Sequence, residues 1–134
     1  MISASMRRAV RRRANYRCEY SHAPEIIGVF MHIDHILPVA KGGQTHLNNL
    51  CLAEARCNIS KGDRIDAVDP DTGQLAPLFN PRTQVWTQHF QWDAQYTHLI
   101  GLSPTGRATI QRLGLNRPAF VAARKYWAQL GLLP

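Results

Sequence analysis

The stretch His32-Ile33-Asp34-His35-Ile36-Leu37-Pro38 sets an acid beside an imidazole, and Cys57-Asn58-Ile59-Ser60-Lys61 follows some twenty residues later. These residue types suit hydrolysis of a phosphodiester. A water must lose a proton near neutral pH, which a histidine can accept. Charge on the scissile phosphate and the leaving oxygen must be neutralised, which a divalent cation does. Asp34 and His35 offer a ligand and a base from one strand end, and Asn58 offers a second ligand from a following helix.

Holding these groups together takes a strand, a loop, a second strand and a helix. Ile26-Ile27-Gly28-Val29-Phe30-Met31-His32-Ile33 has strand character. Pro38 and Gly42-Gly43 break regularity and mark a loop. Asn49-Leu50-Cys51-Leu52 suits a short second strand, and Glu54 to about Arg64 suits a helix that closes near Gly62. Upstream, Ser5 to Ala14 reads as a helix with Ser5 as N-cap. Downstream, Asp69-Pro70-Asp71-Thr72-Gly73 reads as a turn. Two helices end the chain, one from Pro104 to about Leu113-Gly114 and one from Pro118 to Leu130, where Phe120, Ala123, Trp127 and Leu130 recur at helical spacing. Trp86, Phe90 and Trp92 read as core aromatics rather than as a platform for bases. The expected division is a core over 1–66 and an extension over 67–134 packed on it.

The formal charge is +7, and six basic residues crowd one stretch: Arg7, Arg8, Arg11, Arg12, Arg13 and Arg17. On a helix, Arg8 and Arg12 repel across one turn, and a phosphate backbone relieves that repulsion. Arg8, Arg12 and Arg13 are therefore expected to touch nucleic acid. Cys18, Cys51 and Cys57 are an odd count, which speaks against a disulfide framework. No apolar run approaches the length of a membrane span, and the start of the chain carries no secretory signal. A cytoplasmic protein with no membrane partner is expected.

The ordered set Asp34-His35, Pro38, Gly42-Gly43, Asn49-Leu50 and Cys57-Asn58-x-x-Lys61 resembles the HNH, or ββα-metal, endonuclease family. The elements Cys18-Glu19-Tyr20-Ser21, Leu78-Phe79-Asn80-Pro81-Arg82 and Gly106-Arg107-Ala108-Thr109 look like those of a group of small bacterial HNH proteins. The resemblance implies an α+β fold: a ββα-metal core, a basic N-terminal helix and a small helical C-terminal extension. It implies that His35 is the general base and that Asp34 and Asn58 bind the metal. Asn49 would orient the loop and the His35 ring, and Lys61 would reach phosphate. His32, on the same strand face as Asp34 by alternation, is not placed in the site. Two oxygen donors suit Mg²⁺ or Mn²⁺. The implied partner is DNA, nicked by one site or cut through both strands by a homodimer. A catalytically silent nucleic-acid-binding module of the same fold is the rival.

Relatives in that group clamp structural zinc with two Cys-x-x-Cys pairs, and the matching positions here are Cys18, Ser21, Glu54 and Cys57. One partner of each pair is lost, so zinc is expected to be absent. Ser21 and Glu54 would then hydrogen-bond across the old knuckle, with Cys18 and Cys57 as buried thiols. The opposing account keeps zinc on Cys18, Cys57 and Glu54, with His22 as the fourth ligand.

Overall fold

The computed structural model describes residues 1–26 and 29–134, which divide into two compact units. The first comprises Met1–Ile65 with Asn80–Thr83, and the second Asp66–Phe79 with Gln84–Pro134.

In the first unit, helix α1 spans Ala4–Arg13. Its N-cap is Ser3, not Ser5: Ser3 has an extended backbone, and its Oγ accepts from the Met6 amide at 3.2 Å. Asn15 and Tyr16, both at positive φ, end the helix, and Val10 is its fully buried residue. Strand β1 is Met31–His35 and strand β2 is Leu50–Glu54; they pair antiparallel, with Asp34 opposite Cys51 and His35 opposite Leu50. The expected first strand thus starts later. Ile26, Val29 and Phe30 lie outside it, and Ile27 and Gly28 fall outside the described residues. The second strand also starts one residue later than expected, because Leu47–Asn49 forms a 3-10 turn. All five residues of β2 are buried, which fits its unbroken Leu-Cys-Leu-Ala run.

Helix α2, Ala55–Lys61, follows β2 directly. Glu54 caps it, its Oε2 accepting from the Arg56 amide at 3.0 Å. Gly62, at φ 56°, ends it well before Arg64, because few other residues adopt that backbone comfortably. The loop between the strands is drawn tight at Gly43, where any Cβ would collide with the Leu37 carbonyl oxygen.

The second unit carries elements that the sequence did not announce. Strands β3 (Asp66–Val68) and β4 (Leu75–Pro77) form one hairpin, and β5 (Phe90–Trp92) and β6 (Leu99–Gly101) form another. The expected turn at 69–73 links the first pair. Asp69 organises it, with its buried carboxylate accepting from the Asp71 amide, the Thr72 hydroxyl and both arms of Arg107. Helix α3 is Pro104–Leu113, capped by Ser103 and closed by Gly114, and helix α4 is Pro118–Gln129. The core gathers Phe79, Phe90, Leu99, Leu113, Leu115 and Trp127, all buried. Phe79 meets Phe90 edge-on at 5.2 Å, and Trp92 meets Trp127 edge-on at 6.1 Å. No helix among the described residues is long and apolar enough to cross a membrane.

Candidate active site

The end of β1 and the α2 helix meet at an open cleft of about 300 Å³, lined by Asp34, His35, Pro38, Asn58 and Asp63 among others. Three of the residues singled out in the sequence therefore share one concavity. Each is held by a different device.

Asp34 is buried, and among the described residues the hydrogen bonds of its carboxylate fall on Oδ2. Lys61 Nζ lies 3.0 Å from that oxygen, the Tyr20 hydroxyl donates to it at 2.9 Å, and the Cys51 thiol approaches it at 3.7 Å. Burial, with Cys51 and Asp34 alongside, pushes the Tyr20 phenol well above its ordinary value, so it keeps its proton and donates. Burial and the Asp34 charge push the Cys51 thiol up in the same way.

His35 presents its ring to the cleft, with Nε2 2.9 Å from Thr45 Oγ1. Asn49 stands behind it. Its side-chain oxygen accepts from the Leu37 amide at 2.8 Å, and its Nδ2 donates to the Leu37 and Gln44 carbonyls at 3.0 and 2.9 Å. Its own carbonyl accepts from the Ile36 amide at 2.8 Å. Asn49 thus ties the loop that leaves β1 at three points, while Thr45 is what touches the imidazole.

Asn58, on α2, donates its Nδ2 to His32 Nδ1 at 3.0 Å. That bond turns the amide so that its oxygen faces away from His32. His32, which the sequence reading set aside, is therefore the partner of one candidate ligand.

Lys61 lies elsewhere than the phosphate surface expected of it. The side chain is buried, and its ammonium donates to the His35 and Ile36 carbonyls, both at 3.1 Å, besides pairing with Asp34. A lysine two turns into a short helix looks exposed in sequence; here the helix packs that face onto β1. Arg13, though exposed, donates to the Leu47 and Leu50 carbonyls at 2.9 and 2.6 Å. Arg8 and Arg12 remain exposed, on the face of α1 opposite Val10.

The four degenerate zinc positions also come together. Cys18 and Cys57 are buried and share a hydrogen bond, and the Ser21 amide donates to Cys18 Sγ at 3.4 Å. Ser21 Oγ accepts from the Ala23 amide, and the Glu54 carboxylate caps α2; the two do not bond each other as expected. The cap claims Glu54 because it is the residue at which β2 passes into the helix. Burial raises Cys18, but bonds from Cys57, from the Glu54 main chain and from Ser21 outweigh it and bring the thiol down to about 6. Cys57 is pushed well above its ordinary value, first by its bond to Cys18 and then by burial. Among the described residues, no group of three or more His, Cys, Asp or Glu side chains gathers closely enough to hold a metal.

Tyr20 and Thr45 escaped the sequence reading. Tyr20 sat unremarked inside Cys18-Glu19-Tyr20-Ser21, and Thr45 follows the Gly42-Gly43 pair in a loop where no periodicity points at it.

Two antiparallel strands thus pass directly into a helix, a ββα arrangement with Asp-His at the end of the first strand and Asn in the helix. Residues 18–64 match the model of the HNH endonuclease family. No curated protein and no solved structure matches the chain.

Proposed function

We propose that the protein is a metal-dependent DNA endonuclease, with His35 as general base and Asp34 and Asn58 as metal ligands. The observation that supports this most directly is that Asp34, His35 and Asn58 line one cleft while, among the described residues, no hydrogen bond falls on Asp34 Oδ1 or the Asn58 side-chain oxygen. One carboxylate and one amide oxygen, set on a strand and a helix, fit a hard divalent cation such as Mg²⁺ or Mn²⁺ that keeps several of its waters. Such an ion, when bound, supplies neutralising charge to the phosphate and to the departing 3′ oxygen.

The remaining chemistry belongs to the chain. Thr45 Oγ1, 2.9 Å from Nε2, holds the His35 ring, and in the tautomer protonated at Nε2 the ring keeps at Nδ1 the lone pair that takes a proton from the attacking water. Asn49 holds the loop that carries Thr45, so the ring does not have to be oriented anew in each turnover. Exposed Arg8 and Arg12 supply phosphate contacts, consistent with a chain of net charge +7. One such centre nicks one strand; cutting both takes two events or a homodimer.

The test is nicking of supercoiled plasmid with Mg²⁺ or Mn²⁺, run beside His35→Ala. Loss of a general base lowers the rate by about two to four orders of magnitude, with DNA affinity unchanged. Equal rates for mutant and wild type, or no nicking with either ion, sink the assignment and leave a binding module.

A further inference from the structure

Asp34 has two carboxylate oxygens, and the fold treats them differently. Oδ2 receives the Tyr20 hydroxyl and the Lys61 ammonium, with the Cys51 thiol at its side, and all four side chains are buried. Among the described residues, none donates a hydrogen bond to Oδ1. Turning the carboxylate to offer both oxygens to one ion would take from a buried phenol and a buried ammonium the acceptor they share, which costs free energy.

We propose that Tyr20 and Lys61 are positioning residues that confine Asp34 to single-oxygen coordination and so set the ion preference of the centre. This rests on the metal-ligand role of Asp34 given above. Mg²⁺ and Mn²⁺ are served by six near-octahedral donors and tolerate one oxygen per carboxylate. Ca²⁺ takes six to eight donors at longer distances and commonly uses both oxygens of a carboxylate. A locked Oδ2 denies it that mode. Asn58 gives no relief, because its amide nitrogen is committed to His32 and only its oxygen is available. Cys51 contributes shape rather than control, since a thiol at 3.7 Å is a weak donor.

The experiment measures Mn²⁺ and Ca²⁺ binding calorimetrically on the full chain without DNA, for wild type and Tyr20→Phe. That substitution removes one donor from Oδ2 and keeps the ring. Wild type binds Mn²⁺ at least about tenfold more tightly than Ca²⁺. Tyr20→Phe loses about tenfold of that ratio, the scale on which partners of metal ligands usually act, by binding Mn²⁺ less well and Ca²⁺ better. A merely structural defect weakens both ions together and leaves the ratio intact, which overturns the proposal. Equal affinities in wild type overturn it as well.

A second measurement needs no variant. Mn²⁺ bound to wild type, titrated in ¹⁷O-enriched water, should show about four coordinated waters when each of two residues gives one oxygen. A count near three means that Asp34 binds through both oxygens, and the proposal fails even if Tyr20→Phe does not fold. A wild type that nicks plasmid with an unchanged ion ratio in Tyr20→Phe sinks this inference alone. A wild type that neither binds Mn²⁺ nor nicks sinks it together with the function beneath it.

Discussion

The ammonium of Lys61 lies 3.0 Å from Oδ2 of Asp34, with both side chains almost wholly buried. A pair of this kind stabilises little against an apolar substitute, yet losing one member strands the other's charge in the interior. Lys61→Met should therefore lower unfolding free energy by about 3 to 5 kcal/mol, read by urea denaturation. The salt dependence of DNA binding, measured on the folded fraction, should stay as in wild type. A lysine that touched phosphate would do the reverse, leaving stability intact and flattening the salt dependence.

Thr45 Oγ1 lies 2.9 Å from Nε2 of His35 and holds the ring. Thr45→Val keeps the shape and removes the hydroxyl, so the imidazole gains freedom of tautomer and rotation. Nicking at saturating metal should fall by about ten- to a hundredfold, less than for His35→Ala, with metal affinity unchanged. The distinguishing readout is Thr45→Ser, which restores a hydroxyl at the same place and should recover most of the rate. No recovery in the serine variant would mean that the threonine methyl, not the hydroxyl, is what matters.

Among the arginines of α1, hydrogen bonding separates two roles. Arg8 and Arg12 are exposed, whereas Arg13 donates to the Leu47 and Leu50 carbonyls. Replacing Arg8 and Arg12 by alanine should reduce the slope of log affinity against log salt by up to nearly one unit per lost phosphate contact, with little change in melting. Arg13→Ala should cost about 1 to 2 kcal/mol of stability and leave that slope largely unaltered. A shallower slope in Arg13→Ala at unchanged stability would put that side chain back among the phosphate contacts.

The order of strand, loop, strand and helix around Asp34, Asn49 and Asn58 was legible because each element has its own local sign. Gly42-Gly43 breaks the loop, Leu50 to Ala53 is uniformly apolar, and Gly62 stops the helix. The hairpins of the second unit were not legible. Strands of three residues, such as Asp66–Val68 and Phe90–Trp92, are too short for alternation to register. The direction of Lys61 was misjudged for a related reason. Periodicity says which positions share a face, but a long basic side chain reaches whatever carbonyls the tertiary fold leaves unpaired. Tyr20 and Thr45 act through contacts across the fold, with Asp34 fourteen residues away and with His35 across the loop, and no spacing rule selects them.

The buried Cys18–Cys57 pair gives a prediction with a definite sign. Cys18 is drawn down to about 6 from an ordinary thiol value of 9.0, despite its burial, by bonds from Cys57, the Glu54 main chain and Ser21. An acid whose folded value is depressed favours the folded state where it is ionised, fully above its unfolded value. That contribution fades as pH falls toward the folded value. Unfolding free energy contributed by Cys18 should thus rise from pH 6 to pH 9 in wild type, and the rise should be smaller in Cys18→Ser. Above about pH 9 the trend reverses, because Cys57 and Cys51 are held as thiols and favour the unfolded state once they would ionise there. The same thiolate is the group that zinc would seek. With Glu54 engaged as the helix cap and Ser21 a poor ligand, protein purified without chelators should carry much less than one zinc per chain. It should melt at the same temperature with and without a chelator. Zinc near one per chain, lost together with thermal stability in Cys57→Ser, would overturn this and return the four positions to a working knuckle. Asp34→Ala, by contrast, should leave the zinc content and the pH dependence of Cys18 alone while weakening Mn²⁺ binding.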